Sequence, residues 1–321
     1  MGLNKRVTVG RATRVAHRGT RRWAGVLLGL TSTLSTFAQA PAGTTSILEI
    51  VDVESERRTV IHEEKRHFEA PNWTRDNQLI VNADGKLYRI PARGGTLTEI
   101  PLKFDAKVNN DHLLSADGKY LFISANGTAD YRSSLIYRVP VGGGTPERVT
   151  PTGPSYLHGV SPDGNTLAYC AERPGGWDVY TIPVAGGEEK RLTDAMGLDD
   201  GPEYSPDGKW IYFNSHRTGR MHLYRMRPDG SGTEQLTNDE FDNWFGHPSP
   251  DGRSLVFISY LQDQQGKHPF GRDVKLRLMD LETRQIRDLT AVFFGGQGTI
   301  NVPSWSPDSK RVAFVRYSVQ N

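Results

Sequence analysis

Short apolar runs of strand length recur along the chain from residue 47 onward, separated by polar, turn-forming clusters. Tyr120-Leu121-Phe122-Ile123, Trp210-Ile211-Tyr212-Phe213 and Ser254-Leu255-Val256-Phe257-Ile258 are rich in aromatic and β-branched residues and alternate as half-buried strands do. The pattern predicts an all-β chain.

The punctuation between the runs is a repeated phrase. Thr74-Arg75-Asp76-Asn77, Ser115-Ala116-Asp117-Gly118, Ser161-Pro162-Asp163-Gly164, Ser205-Pro206-Asp207-Gly208, Ser249-Pro250-Asp251-Gly252 and Ser306-Pro307-Asp308-Ser309 place their aspartates 41, 46, 44, 44 and 57 residues apart. A period in the forties is that of propeller blades. The phrase suits a hairpin turn: Ser and Asp hydrogen-bond nearby backbone, Pro fixes φ, and Gly accepts a positive φ. A polar turn such as Ser215-His216-Arg217-Thr218-Gly219, a third strand, a Gly-rich turn and a fourth strand complete each unit. Four strands per repeat and six repeats predict a six-bladed β-propeller of antiparallel blades.

The two chain ends fit each other. The sixth repeat stops after two strands, while Ile47 to Val53 and Arg58 to Ile61 form two that no blade claims. These are expected to complete the last blade and close the ring, which removes the open sheet edges.

The Ser-Pro-Asp-Gly phrase, together with Phe213-Asn214-Ser215-His216-Arg217-Thr218-Gly219, resembles the propeller repeats of TolB-like periplasmic proteins over nearly all of residues 44–321. TolB proteins of the Tol–Pal envelope system carry an α/β domain before the propeller, and only about two strands precede the first blade here, so the resemblance concerns the propeller alone. Prolyl oligopeptidase-type propellers are followed by a hydrolase domain with G-x-S-x-G, which this sequence lacks.

Residues 1–42 read as a secretory leader: seven basic and no acidic side chains, an apolar run from Trp23 to Leu30, and Ala38-Gln39-Ala40 as an A-x-A site. The run is too short to span a bilayer. A periplasmic or secreted chain without a transmembrane segment, spanning residues 43–321, is expected. It would keep 32 basic and 37 acidic side chains, a net charge of −5, which removes any electrostatic case for nucleic-acid binding. Cys170 is the only cysteine, so no internal disulfide forms; its place in a strand-like run marks it as a buried, inert thiol. A monomer is expected.

Residues just before each repeated phrase should converge on the rim of the central channel. There the sequence places Asn109, Asn110, Asp111 and His112; Tyr156 and His158; Asp199, Asp200 and Glu203; Asp242, Asn243, Trp244 and His247; Gln297, Thr299 and Asn301. Such groups suit a polar ligand, with Trp244 and Tyr156 as stacking faces for a sugar. Two functions are open. One is a binding module without a catalytic motif, taking an envelope protein or a polysaccharide. The other is a metal-dependent lyase or hydrolase on oligosaccharides: His112, His158, His247 and Gln297 would hold a divalent Mn, Ca or Zn ion, an arrangement that resembles the oligogalacturonate lyases. The remaining histidines, His268 in the insertion at 261–273 among them, read as solvated or locally bonded.

Overall fold

The computed structural model describes residues 1–2, 40–127 and 133–319. The leader expected over residues 1–42 therefore lies almost wholly outside the described residues. From Thr44 onward the described residues fold as six antiparallel sheets, one per blade.

Blades 1 to 4 each run outward from an inner strand: Glu69–Trp73, Lys107–Leu114, Ser155–Val160 and Asp199–Tyr204. Blade 5 starts with Asp242–Pro248 and carries an extra strand, Phe293–Gly296, on its long third strand, Phe270–Asp280. In blade 6 the innermost position is a single bridge between Trp305 and Val312, followed by Arg311–Val319, Thr44–Asp52 and Arg58–Glu64. The N-terminal strand pairs with the C-terminal one from Thr44↔Val319 to Asp52↔Arg311 without interruption, which closes the ring as the sequence predicts. Blades 6 and 1 also touch at the axis, where Trp73 N donates to Pro303 O at 3.1 Å and Ser304 Oγ to Pro71 O at 2.7 Å.

The repeated phrase builds the same turn six times. The hydroxyl of Thr74, Ser161 or Ser306 donates to its aspartate at 2.5 Å, that of Ser249 at 2.6 Å, and those of Ser115 and Ser205 at 2.7 Å. The same oxygen accepts a backbone N–H at the start of the next strand, from Tyr120, Thr166, Trp210, Ser254, Arg311 and, in blade 1, Gln78. The residue after the aspartate takes positive φ in all six: 69 to 75° in Gly118, Gly164, Gly208 and Gly252, 56° in Asn77 and 59° in Ser309. The two substitutes are short polar residues that tolerate this region better than bulkier ones.

The apolar residues of successive blades meet face to face. Ile80 and Leu87 of blade 1 pack with Val108, Leu121 and Ile123 of blade 2, for example, so each blade is held by both neighbours. Inner strands 1 to 5 each break register once in the stretch before the turn, at Glu69/Asn72, Val108/His112, Leu157/Gly159, Asp200/Glu203 and Trp244/His247. Three of these bulges carry a residue with positive φ: Ala70 at 56°, Gly201 at 62° and Phe245 at 51°. A bulge re-aims the side chains around it, and here it turns polar groups toward the channel.

Candidate functional site in the central channel

Residues two to five positions before the turn Ser or Thr form two levels along the axis. The level nearer the turns holds Asn72, His158, Glu203 and His247. The deeper one holds Glu69, Asp111 and Asp200. All but Glu69 are at least nine-tenths buried.

Glu203 and His247 stand at the same place in neighbouring blades, and Nδ1 of the imidazole lies 2.5 Å from Glu203 Oε2. Its Nε2 faces the Ile300 carbonyl at 2.6 Å. A carbonyl only accepts, so Nε2 carries a hydrogen there. Burial raises the Glu203 carboxyl above its ordinary range against the opposing pull of His247.

His158 Nε2 lies 3.1 Å from Asp200 Oδ1, and its ring stacks on Phe245 with centroids 5.8 Å apart. Burial disfavours the imidazolium, but the charges of Asp200 and Asp111 outweigh it and raise the pKa of His158. Asp200 is likewise opposed by burial, yet His158 and the Gly201 N–H at 2.7 Å hold it at about 2. Gly201 is required there: a Cβ would stand 2.5 Å from Asn214 Oδ1. Asp111 differs from both. Burial, with the nearby charges of Asp200 and Glu69, drives its pKa up to about 7 against the pull of His158.

The insertion at 261–273 covers the end of the channel opposite the turns. Gln264 N donates to Asp242 Oδ2 at 2.6 Å, and Pro269 O accepts from Tyr260 Oη at 3.1 Å and Gln297 N at 3.3 Å. His268 is thereby set edge-on against Trp244, with centroids 4.5 Å apart, and its Nε2 lies 3.8 Å from Asp200 Oδ2. His268, expected to be solvated or locally bonded, instead packs on Trp244 and stands beside Asp200. A histidine in a long polar insertion offered no local signal that it would fold back onto the channel acids.

Several expected rim residues serve the blades instead. His112 is fully buried and bonds the Ile80 carbonyl of blade 1 through Nε2 at 3.1 Å; burial drives its pKa down to about 4. Asn243 is consumed by Asp239 at 2.9 Å and Ser259 at 2.6 Å. Trp244 belongs to the blade 5 core, and the Tyr156 ring lies 5.9 Å from that of Trp177; at 0 and 8 % exposure neither offers a stacking face. Asp199 is paired with Arg217 at 3.0 Å. Asn301 accepts from Gly298 N at 2.7 Å, and Gln297 is half-buried beside the insertion. Asn110 is buried on the inner strand of blade 2, while His158 is brought to Asp200 and Glu203 to His247; Glu69, Asn72 and His268 join these four.

The metal set anticipated from the sequence is not assembled. His112 bonds the Ile80 carbonyl of blade 1, and His247 has its Nδ1 on Glu203 and its Nε2 on the Ile300 carbonyl. Among the described residues no three His, Cys, Asp or Glu side chains are grouped as ligands for an ion.

On the turn side the channel opens into a cavity of about 440 Å³. His158 and Glu203 line its inner part, with Asn72, Arg75, Arg89 and Asp117 among the residues of its wall.

The model of the TolB beta propeller domain matches residues 157–314. An uncharacterised protein of Agrobacterium fabrum is 43 % identical over 290 residues, covering 89 % of this chain and 98 % of its own. A solved structure from Agrobacterium tumefaciens, provisionally assigned as TolB, is 42 % identical and superposes with a TM-score of 0.81 over 86 % of this chain and 99 % of its own. TolB from Acinetobacter baumannii is 19 % identical with a TM-score of 0.56; the match covers 84 % of this chain and 57 % of that one, a likeness of fold. With six closed blades, the repeated turn and a relative this similar over nearly its whole length, the chain belongs to the TolB-like β-propeller family.

Proposed function

We propose that this chain is an exported binding propeller that takes an extended segment of an envelope protein into the turn-side mouth of its channel. The observation that carries the reading is the cavity of about 440 Å³ at the point where the inner strands converge. Its wall offers donors from Arg75 and Arg89 and acceptors from Asn72 and Asp117, the mixture that backbone amides and polar side chains require. A polysaccharide would want an exposed aromatic face. The two rings that line the cavity, Trp73 and Tyr204, are 6 and 8 % exposed, which favours a polypeptide. The lyase alternative finds less support, since among the described residues no three His, Cys, Asp or Glu side chains are grouped as ligands.

Export rests on the basic, apolar and A-x-A order of residues 1–42. Among the described residues no helix is long and apolar enough to cross a membrane.

The test is site-specific photocrosslinking in cells from position 75 in the mouth and, as a control, from the exposed position 282 at the outside of blade 5. An envelope-protein adduct from position 75 alone is expected. Adducts only from position 282, or a polysaccharide adduct from position 75, would refute the polypeptide reading.

A further inference from the structure

The deeper level of the channel contains acceptors that the protein itself does not satisfy. Asp111 is 3 % exposed, and the charges acting on its carboxyl are one imidazole, His158, and two further carboxylates, Asp200 and Glu69. His158 is already committed to Asp200 at 3.1 Å. Beside Glu69, Asn82 is 5 % exposed; it turns its Nδ2 to Glu69 Oε1 at 3.2 Å, and its Oδ1 has no donor. Buried acceptors without donors are costly and infrequent in folded proteins. Three carboxylates and an orphaned amide oxygen, with His67 Nε2 3.8 Å from Glu69 and His268 Nε2 3.8 Å from Asp200, suit a guest that brings positive charge and several N–H groups together.

The geometry argues against a metal ion as that guest. An ion bonded to oxygen at roughly 2.0–2.6 Å needs ligands packed around one point, and no such group of three exists among the described residues. A planar guanidinium presents five N–H donors in a fork and reaches acceptors on different blades at ordinary hydrogen-bond distance.

We propose that the chamber formed by Glu69, Asn82, Asp111 and Asp200 is a binding site for a guanidinium group, the end of an arginine side chain or of a small organic cation. The site lies beneath the His268 insertion and beyond His158 from the turn-side mouth. An arginine on the segment placed in that mouth would be one source of the group. That link rests on the reading of the mouth given above, whereas a free guanidinium compound tests the chamber by itself.

Binding also displaces protons. With Asp111 at about 7, its carboxyl is partly protonated at neutral pH and must ionise to receive the cation.

The experiment is calorimetric titration of the purified protein with n-propylguanidinium, and with the neutral n-propylurea, at pH 7.5 and 6.0. Propylguanidinium should bind, release protons, and bind about tenfold more weakly at the lower pH, while propylurea should not bind. Asp111→Asn should weaken binding by tenfold or more without lowering the melting temperature, and Glu69→Gln should weaken it independently if the first variant folds poorly. Asp178→Asn, distant in blade 3, should leave it unchanged. Equal binding of propylurea, unchanged affinity in both Asp111→Asn and Glu69→Gln, or displacement of propylguanidinium by calcium at equimolar concentration would overturn the assignment. Binding of propylguanidinium without any polypeptide adduct from position 75 would leave the chamber standing and remove the partner reading alone.

Discussion

Glu49, on the first strand of the chain, accepts Arg316 Nε from the last strand at 2.5 Å and Arg58 Nε at 2.6 Å. The carboxylate is 3 % exposed while both arginines keep partial contact with water, so the pair is a charged clamp set into the seam of the ring. Removing one partner of such an arrangement leaves guanidinium groups without a counter-charge. Glu49→Ala is expected to lower the unfolding free energy by about 2–4 kcal/mol, read from the urea midpoint. Deleting residues 44–60 goes further, exposing the whole edge of Arg311–Val319, and should give aggregation. A truncated chain that stays soluble and melts in one sharp transition would show that closure contributes little.

Asp111 should make the folded protein less stable as pH rises. Its pKa goes from 3.8 in the unfolded chain to about 7 in the fold, so the stabilisation from binding a proton is complete below 3.8 and is lost as pH climbs through about 7. Asp111→Asn is therefore expected to melt above the parent at pH 8, by on the order of 3 kcal/mol, and to converge with it toward pH 4. Melting curves at pH 4, 6 and 8 check this. A constant difference between the two proteins across that range would mean that Asp111 does not titrate as a buried acid.

His112 has the opposite sign. Burial lowers its pKa from 6.5 to about 4, so the stability it supports is present above 6.5 and lost as pH falls through about 4. His112→Gln can keep a donor to the Ile80 carbonyl and has no proton to gain. Between pH 6.5 and 4 the variant should lose less stability than the parent, by on the order of 3 kcal/mol. Equal acid sensitivity would place the acid-labile group elsewhere.

His112 and His158 also show where the sequence stops being readable. Each stands three residues before its turn serine, and a reader of the repeat places both on the channel. In blade 2 the register resumes at His112, which pairs with Ile123 and turns toward blade 1. In blade 3 the shift runs from Leu157 to Gly159, and His158 falls within the bulge and faces the axis. A slip of one residue in a strand exchanges its two faces, and nothing local to either histidine announces it. The turns were legible because their chemistry is local: hydroxyl, carboxylate and a residue fit for positive φ lie within five positions. The ring and its closing strands followed from counting those turns. Glu69 and His268 were missed because their roles depend on contacts across blades and on the path of an insertion.

That path is itself testable. The insertion at 261–273 is fastened to the scaffold at its near end by Asp242, whose Oδ2 accepts Gln264 N at 2.6 Å, and at its far end through Pro269 O. Asp242 also meets Arg220 at 3.3 Å, on the turn of blade 4, so the near tether links two blades. In Asp242→Ala the amide of Gln264 loses its acceptor while Pro269 stays held, which should free the segment between them to open locally. Hydrogen exchange over residues 261–268 is expected to accelerate by tenfold or more, equivalent to about 1.4 kcal/mol of local opening, with the amides of Ser254–Tyr260 unchanged. Asp263 serves as the control, since its carboxylate bonds only the neighbouring Gln265 N at 2.6 Å within the insertion. If Asp263→Ala accelerates exchange as much as Asp242→Ala, the cover over His268 is held by its own turn. If neither does, the Pro269 end alone suffices, and Asp242 is no part of what keeps the channel shut.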